Sequence, residues 1–184
     1  MKTIYYLPGN GGRLNAGLGA ELLRRGFSLE GREQIAAFRD LTFEEKISLI
    51  AEDLKNNHWR QDALVIANSI GAYQFLHAQS MLPAFVGKVV LLSPIIGEAF
   101  DPAINRMYVP PRAGKLQRLI EQGEFNAPLN CEIHVGEHDW QANPDEVVKL
   151  AHRVGFKVNI VPGSGHQLDR VYVGEVLSGL MTQA

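Results

Sequence analysis

The chain has 184 residues, of which 46% are hydrophobic and 21% are charged, and its formal net charge at pH 7 is −2. The balanced charge and the lack of a Lys/Arg block give no indication of a nucleic-acid partner, and no apolar run is long enough to predict a membrane span. A single cysteine, Cys131, excludes a disulfide framework and favours a reducing, cytoplasmic location.

Strands and helices alternate along a length that suits one domain, residues 1–184. Continuous apolar segments predict five strands, in the order Thr3–Leu7, Ala63–Asn68, Lys88–Leu92, Cys131–Val135 and Lys157–Val161. Capping residues, helical periodicity and glycine stops predict helices over about 15–25, 43–54, 70–81, 112–122, 144–154 and 171–180. A sixth strand is expected near 27–30 or near 34–38. Because strands that are apolar on both faces must be covered on both sides, we expect an open, doubly wound α/β sheet, mostly parallel, with helices on both faces.

Ser69 lies at the point where the second apolar strand turns directly into a helix. A chain that reverses within one or two residues needs small neighbours, and Ala67 and Gly71 stand two positions before and after the serine. This is the nucleophile-elbow pattern Gly-x-Ser-x-Gly with alanine in the first glycine position. Ser69 is therefore a candidate nucleophile, although so short a pattern also arises by chance.

Three further candidates follow the ends of other predicted strands. They are the loop Gly9–Gly12, the acid Asp139 and the histidine His166. In an open parallel sheet, ligands bind beyond the carboxyl ends of the strands, so we expect all four to meet at one edge. A histidine, with an ordinary pKa near 6.5, can take the proton of a serine hydroxyl, and a carboxylate can orient its imidazole.

With serine, acid and histidine in that order, the sequence resembles the α/β-hydrolase superfamily, and within it the small single-domain serine hydrolases. The resemblance covers nearly the whole chain and implies a fold that lacks the first antiparallel strands. It implies Ser69 as nucleophile, His166 as base and Asp139 as orienting acid. It also implies an oxyanion hole formed by the backbone N–H groups of Ile70 and Asn10. The loop Pro-Gly-Asn-Gly-Gly stands where many lipases have His-Gly.

Residues 95–130 interrupt the alternation, and the resemblance identifies them as a short lid or cap within the domain. Gly9 and Gly11 in the first loop, and Met107 and Tyr108 in the cap, are expected to contact the substrate. Because the cap is short, we expect a shallow pocket that suits small-molecule esters. No cofactor is expected.

Other residues compete for these roles. Asp145, Glu98 or Asp101 could be the acid, and Gly9–Gly12 could be a structural turn or a phosphate loop, although it fits neither common phosphate-binding pattern. A metal site of His134, His138 and Asp139 is not expected because His134 is mid-strand. Cys131 is a poor nucleophile because it begins a buried strand without an adjacent base.

The expected function is a serine hydrolase that cleaves a small carboxylic ester or thioester through an acyl-enzyme. Two alternatives stay open at this point. The fold could serve as a non-catalytic binding or regulatory module, or the same triad could act in an acyltransferase. The sequence does not indicate the oligomeric state.

Overall fold

A computed structural model describes residues 2–182 of the chain. In chain order the elements are β1 (Thr3–Leu7), α1 (Leu18–Arg24), β2 (Ser28–Gly31), α2 (Ala36–Asp40), α3 (Phe43–Asp53, continued by a π-helical turn at Leu54–His58), β3 (Leu64–Asn68), α4 (Ile70–Gln79), β4 (Lys88–Leu92), β5 (Ala99–Asp101), β6 (Arg106–Tyr108), α5 (Ala113–Glu121), β7 (Asn130–Gly136), α6 (Pro144–Val154), β8 (Lys157–Val161) and α7 (Arg170–Thr182).

Six of the strands form one sheet in the order β2-β1-β3-β4-β7-β8, and every neighbouring pair in it is parallel. All five predicted apolar strands are present, and the predicted fold class is confirmed. The sixth strand forms at Ser28–Gly31, whereas the alternative segment leads into the short helix α2. Gly31 permits this pairing because a Cβ there would lie 1.9 Å from the carbonyl oxygen of Tyr6 on β1.

The two faces of the sheet bury separate hydrophobic clusters, as the alternation along β1 illustrates. Ile4 and Tyr6 pack with Leu177 of α7 on one face, whereas Tyr5 and Leu7 face the cluster formed with α3, α4 and α6. Alternate strand residues point to opposite faces, so a strand covered on both sides is apolar throughout. Within residues 2–182, no helix has both the length and the apolar composition that crossing a membrane requires.

The segment between β4 and β7 contains more structure than its sequence predicts. The expected helix is present as α5, but it is preceded by an antiparallel hairpin of β5 and β6 in which Phe100 lies opposite Met107. These two side chains are 48% and 50% exposed, so the hairpin is not buried in either cluster. Pairs of three-residue strands give little periodicity, which is why the sequence pattern did not predict them.

Because the strands of the main sheet are parallel, their carboxyl ends lie along one edge. The loops after β1, β3, β4, β7 and β8 all leave from this edge. Each predicted site residue outside the cap is in one of these loops or at the start of the helix that follows it. The topology therefore brings together residues that are far apart in sequence.

Candidate active site

The turn after β3 holds Ser69 in a strained backbone conformation. Its φ is 54° and its ψ is −119°, a region that costs a non-glycine residue about 1–3 kcal/mol and is common at functional turns. Gly71 makes the turn possible, since a Cβ at that position would lie 2.4 Å from the Leu7 carbonyl oxygen and 2.5 Å from that of Pro8. Ala67 is fully buried in β3, so a methyl group is tolerated where the elbow pattern has its first glycine.

Ser69, His166 and Asp139 form a continuous chain of hydrogen bonds. The Ser69 Oγ lies 2.8 Å from His166 Nε2, and His166 Nδ1 lies 2.9 and 3.0 Å from the two carboxylate oxygens of Asp139. A carboxylate only accepts hydrogen bonds, so Nδ1 carries the proton and donates to Asp139. In the neutral imidazole Nε2 is then the acceptor, and the Ser69 hydroxyl donates to it. The structure thus brings the three predicted residues within mutual hydrogen-bonding reach.

The carboxylate of Asp139 is held rigidly in the interior. The residue is 1% exposed, and its Oδ1 accepts the backbone N–H groups of Gln141 and Ala142, each at 2.9 Å. Its own backbone carbonyl accepts the N–H of Asn143, the cap residue of α6. These bonds satisfy the buried carboxylate and aim it at the imidazole, which is what an orienting acid requires.

Two further residues bring the acid and histidine loops together. Gly136, the last residue of β7, packs so closely on the next loop that a Cβ there would be 2.4 Å from the carbonyl oxygen of Ser164. The same Ser164 oxygen accepts the backbone N–H of His138 at 2.9 Å, and the Ser164 hydroxyl accepts the N–H of Asp169 at 3.3 Å. In the sequence, Gly136 directly follows a predicted apolar strand, but no local pattern indicates which residue it would contact.

The first loop and the start of α4 carry the two predicted oxyanion donors, Asn10 and Ile70. Gly12 N–H donates to Gly9 O at 2.9 Å, and Gly11 has a φ of +71°, so the chain makes a tight turn with an exposed Asn10 in it. Ile70 is the first residue of α4, where a backbone N–H has no acceptor within its own helix. The close contact of Gly71 with Leu7 and Pro8 makes the helix start and the loop neighbours. The oxyanion role of Asn10 and Ile70 stays a prediction.

The β5–β6 hairpin, within the predicted cap, holds Met107 and Tyr108, which are 50% and 37% exposed. Burial is the largest cause that raises the pKa of Tyr73 on α4 above its ordinary value. The Tyr73 hydroxyl donates to the carbonyl of Pro111 at 2.7 Å, which ties the segment between β6 and α5 to α4. Contact of Met107, Tyr108, Gly9 and Gly11 with substrate stays a prediction.

A cavity of about 570 Å³ lies between α5 and α6. Its wall includes Ile96 and Gly97 from the loop after β4, and Ala142 from the loop that holds the acid. None of the three residues of the hydrogen-bonded chain lines it. The cavity is therefore beside the candidate site and is not the site itself.

The other residues considered for the acid or the nucleophile do not take part in the hydrogen-bonded chain of Ser69, His166 and Asp139. Asp145 is exposed in the first turn of α6, Glu98 is exposed on the wall of the cavity, and Asp101 accepts the Ala103 N–H on the hairpin. Cys131 is buried, and burial raises the pKa of its thiol, which opposes a nucleophilic role.

In the sequence, His134 and His138 are possible metal ligands together with Asp139, although a metal site is not expected there. His134 Nδ1 lies 2.8 Å from the Tyr172 hydroxyl, and His138 is an exposed residue beside Glu137. No three His, Cys, Asp or Glu side chains in residues 2–182 are grouped so that they could hold a metal ion.

This chain resembles solved structures of known proteins. No protein-family model matches this sequence, and no curated protein is close enough in sequence to count as a relative. The ydeN gene product from B. subtilis superposes with a TM-score of 0.66 at 15% identity, covering 99% of this chain and 100% of its own. Alpha/beta hydrolase domain-containing protein 10 from mouse gives a TM-score of 0.71 at 11% identity, over 98% and 88%. This chain has the α/β-hydrolase fold.

Est1E from Butyrivibrio proteoclasticus has the same fold, with a TM-score of 0.67 at 15% identity over 99% of this chain and 87% of its own. The superpositions establish the α/β-hydrolase fold. At identities this low they do not establish the activity, which has to be inferred from the residues of the site. In this chain the fold consists of six parallel strands, so within residues 2–182 the main sheet lacks antiparallel strands, as the resemblance implied.

Proposed function

We propose that this protein is a serine hydrolase that cleaves a small carboxylic ester or thioester through an acyl-enzyme. The observation that carries the proposal is the hydrogen-bonded chain from Ser69 through His166 to Asp139, at the edge of the sheet where the loops meet. Each residue type has the chemistry that its place in the chain demands: a hydroxyl, an imidazole and a buried carboxylate.

The proposed first half-reaction forms the acyl-enzyme. The Ser69 Oγ attacks the carbonyl carbon of the substrate while its proton moves to His166 Nε2, and Asp139 stabilises the imidazolium that results. The carbonyl oxygen becomes an oxyanion that accepts hydrogen bonds from the N–H groups of Ile70 and Asn10. When the tetrahedral intermediate collapses, the bond to the alcohol or thiol breaks, and His166 gives its proton to the leaving group.

The second half-reaction releases the acid. A water molecule loses a proton to His166 as it attacks the acyl carbonyl carbon, and a second oxyanion forms in the same place. The bond to Ser69 Oγ then breaks, the serine recovers its proton from the imidazolium, and the carboxylic acid leaves. The enzyme returns to its starting protonation state, so no cofactor is consumed.

The proposed substrate is small because residues 95–130, the proposed cap, provide only a short hairpin and one helix. Gly9 and Gly11 would line the oxyanion side, and the exposed Met107 and Tyr108 would contact the acyl or alcohol group. Among the structures of this fold, Est1E has been solved with ferulic acid bound, and another is a monoacylglycerol lipase from Paleococcus ferrophilus. Both names support an acyl compound as the substrate.

The proposal is tested by covalent labelling with a fluorophosphonate probe and mapping of the adduct by mass spectrometry. We expect the adduct on Ser69 and none in Ser69→Ala. The matched control is Ser93→Ala, since Ser93 also follows a strand with positive φ (44°) but is fully buried, and its hydroxyl has no hydrogen-bond partner among the described residues. Folded wild-type protein without an adduct on Ser69 would contradict the proposal.

Substrate size is tested with p-nitrophenyl esters of increasing acyl length, and with the Ser69→Ala variant as the blank. We expect the highest kcat/KM with the acetyl and butyryl esters. A maximum with long acyl chains would contradict a small substrate, while labelling without turnover of any ester would favour the acyltransferase.

A further inference from the structure

A pair of buried glutamines connects the segment after β2 with the helix that follows Ser69. Gln34 Nε2 donates to Gln74 Oε1 at 2.7 Å, and Gln74 Nε2 donates to Gln34 Oε1 at 3.1 Å. The residues are 4% and 3% exposed, so both bonds are shielded from water. Buried amides that satisfy each other reciprocally fix each other's position, because breaking the pair leaves polar groups without partners.

Gln34 also holds the first loop through its backbone. Its N–H donates to the carbonyl of Gly12 at 2.9 Å, and the adjacent Glu33 carboxylate accepts the N–H of Leu14 at 2.9 Å. Gly12 in turn closes the tight turn by donating to Gly9. The segment at 33–34 therefore holds the exit of the loop that carries Asn10.

Gln74 lies on α4 one helical turn after Ile70. Because one helix contains both residues, fixing Gln74 also fixes the start of the helix. We infer that Gln34 and Gln74 are positioning residues that set the separation between the N–H groups of Asn10 and Ile70. This inference rests on the proposed function, in which those two groups receive the oxyanion. Neither glutamine touches the reacting atoms, and both act through the elements they join.

A second anchor is needed because the contact of Gly71 with Leu7 and Pro8 holds only the base of the loop. Asn10 is two residues further on, exposed, and flanked by glycine on both sides. Oxyanion donors work at about 2.7–3.1 Å from the charge, and a misplacement of about 1 Å can cost about 100-fold in rate. The glutamine pair supplies the missing constraint from the far side of the loop.

The test compares Gln74→Met with a matched variant on the same helix, Gln79→Met. Gln79 is fully buried and its Nε2 donates to the carbonyls of Pro83 and Asn126 at 2.7 and 2.8 Å, away from the first loop. We expect Gln74→Met to lower kcat for p-nitrophenyl acetate about 10- to 100-fold with KM changed less than about 3-fold. Gln79→Met should lower the thermal midpoint similarly while kcat stays within about 3-fold of wild type.

The double variant Gln34→Met/Gln74→Met separates positioning from stability. It removes both amides, so no buried polar group is left unpaired and the thermal midpoint should recover relative to Gln74→Met. If the pair positions the donors, kcat stays low in the double variant. Recovery of kcat together with the midpoint, or an unchanged kcat in Gln74→Met, would overturn the inference.

Amide hydrogen exchange gives a readout that does not require activity. We expect the Gly12 amide, and the peptide covering residues 8–14, to exchange at least about 10-fold faster in Gln74→Met and at the wild-type rate in Gln79→Met. Absence of fluorophosphonate labelling in the wild type would refute the proposed function alone. Unchanged exchange in Gln74→Met would show that the pair does not hold the loop.

Discussion

Gly136 and Ser164 touch so closely that the loops carrying Asp139 and His166 behave as one structural unit. A Cβ at position 136 would lie 2.4 Å from the Ser164 carbonyl oxygen and 2.2 Å from that of Gly165. The obstructing atoms are backbone, so no side-chain rotation can relieve the contact. The hydrogen bond from His166 to Asp139 therefore depends on a residue that takes no part in it.

The first prediction concerns Gly136→Ala. The added methyl group should push the histidine loop away from the acid, so we expect kcat to fall about 100-fold and the protein to lose about 1–3 kcal/mol of stability. Esterase kinetics and thermal denaturation measure the two effects. Gly179→Ala in α7 is the control, because its Cβ would meet nothing within 4 Å. That change should preserve activity and add about 0.5–1 kcal/mol of stability. Full activity in Gly136→Ala would show that the loops adjust independently.

The second prediction concerns Gly71→Ala. A Cβ at position 71 would meet two backbone oxygens, 2.4 Å from Leu7 and 2.5 Å from Pro8, so the start of α4 must move away from β1. Such a shift displaces Ser69 and Ile70 together, and we expect fluorophosphonate labelling of Ser69 to slow about 100-fold or more. Time-resolved mass spectrometry of the adduct measures the rate. A labelling rate within a few-fold of wild type would contradict this account of the elbow.

The third prediction concerns Asp139→Asn. The asparagine carbonyl oxygen can still accept the N–H groups of Gln141 and Ala142, so we expect the fold to persist with a similar thermal midpoint. An amide nitrogen facing His166 Nδ1 favours the wrong tautomer, and kcat should drop about 10³- to 10⁴-fold. Asp145→Asn, on the exposed first turn of α6, is the control and should leave kcat unaltered. Equal loss in both variants would reject Asp139 as the specific acid.

The fourth prediction concerns the pH dependence of stability. His77 on α4 is 1% exposed, and neither ring nitrogen has a hydrogen-bond partner in the described part of the chain. Burial, and then the charges of Lys115 and Arg112, lower its pKa from 6.5 to about 4. Between these pH values the unfolded chain binds a proton that the folded chain does not, so stability is lost as the pH falls from about 6.5 toward 4.

Replacement of the buried imidazole should remove this dependence. We expect wild type to lose about 1–2 kcal/mol between pH 6.5 and 5 from this group, and His77→Leu to lose correspondingly less. Urea denaturation at the two pH values measures the difference. His152→Leu, which removes an exposed imidazole from α6, should retain the wild-type dependence. Parallel pH profiles for wild type and His77→Leu would contradict the prediction.

Local patterns were sufficient to predict five of the six strands of the main sheet and the candidate residues that follow their ends. An apolar run ending in a turn identifies both a buried strand and the loop just beyond it, which is why the sequence predicts Ser69, Asp139 and His166 as site residues. The same reasoning left two places for the sixth strand, because each candidate segment has only four or five residues. It also did not predict the β5–β6 hairpin, whose strands have three residues each.

The five apolar strands, the longer helices and the chemistry available at the strand ends were determined by the sequence, because they depend on residues a few positions apart. Only the tertiary structure decided which of those residues meet. The Ser69–His166 contact spans 97 residues, the acid–histidine contact 27, and the Gln34–Gln74 pair 40. Contacts of that separation arise from how helices and strands pack, and the fit of Gly71 and Gly136 against backbone oxygens is a property of the packed chain that no local pattern encodes.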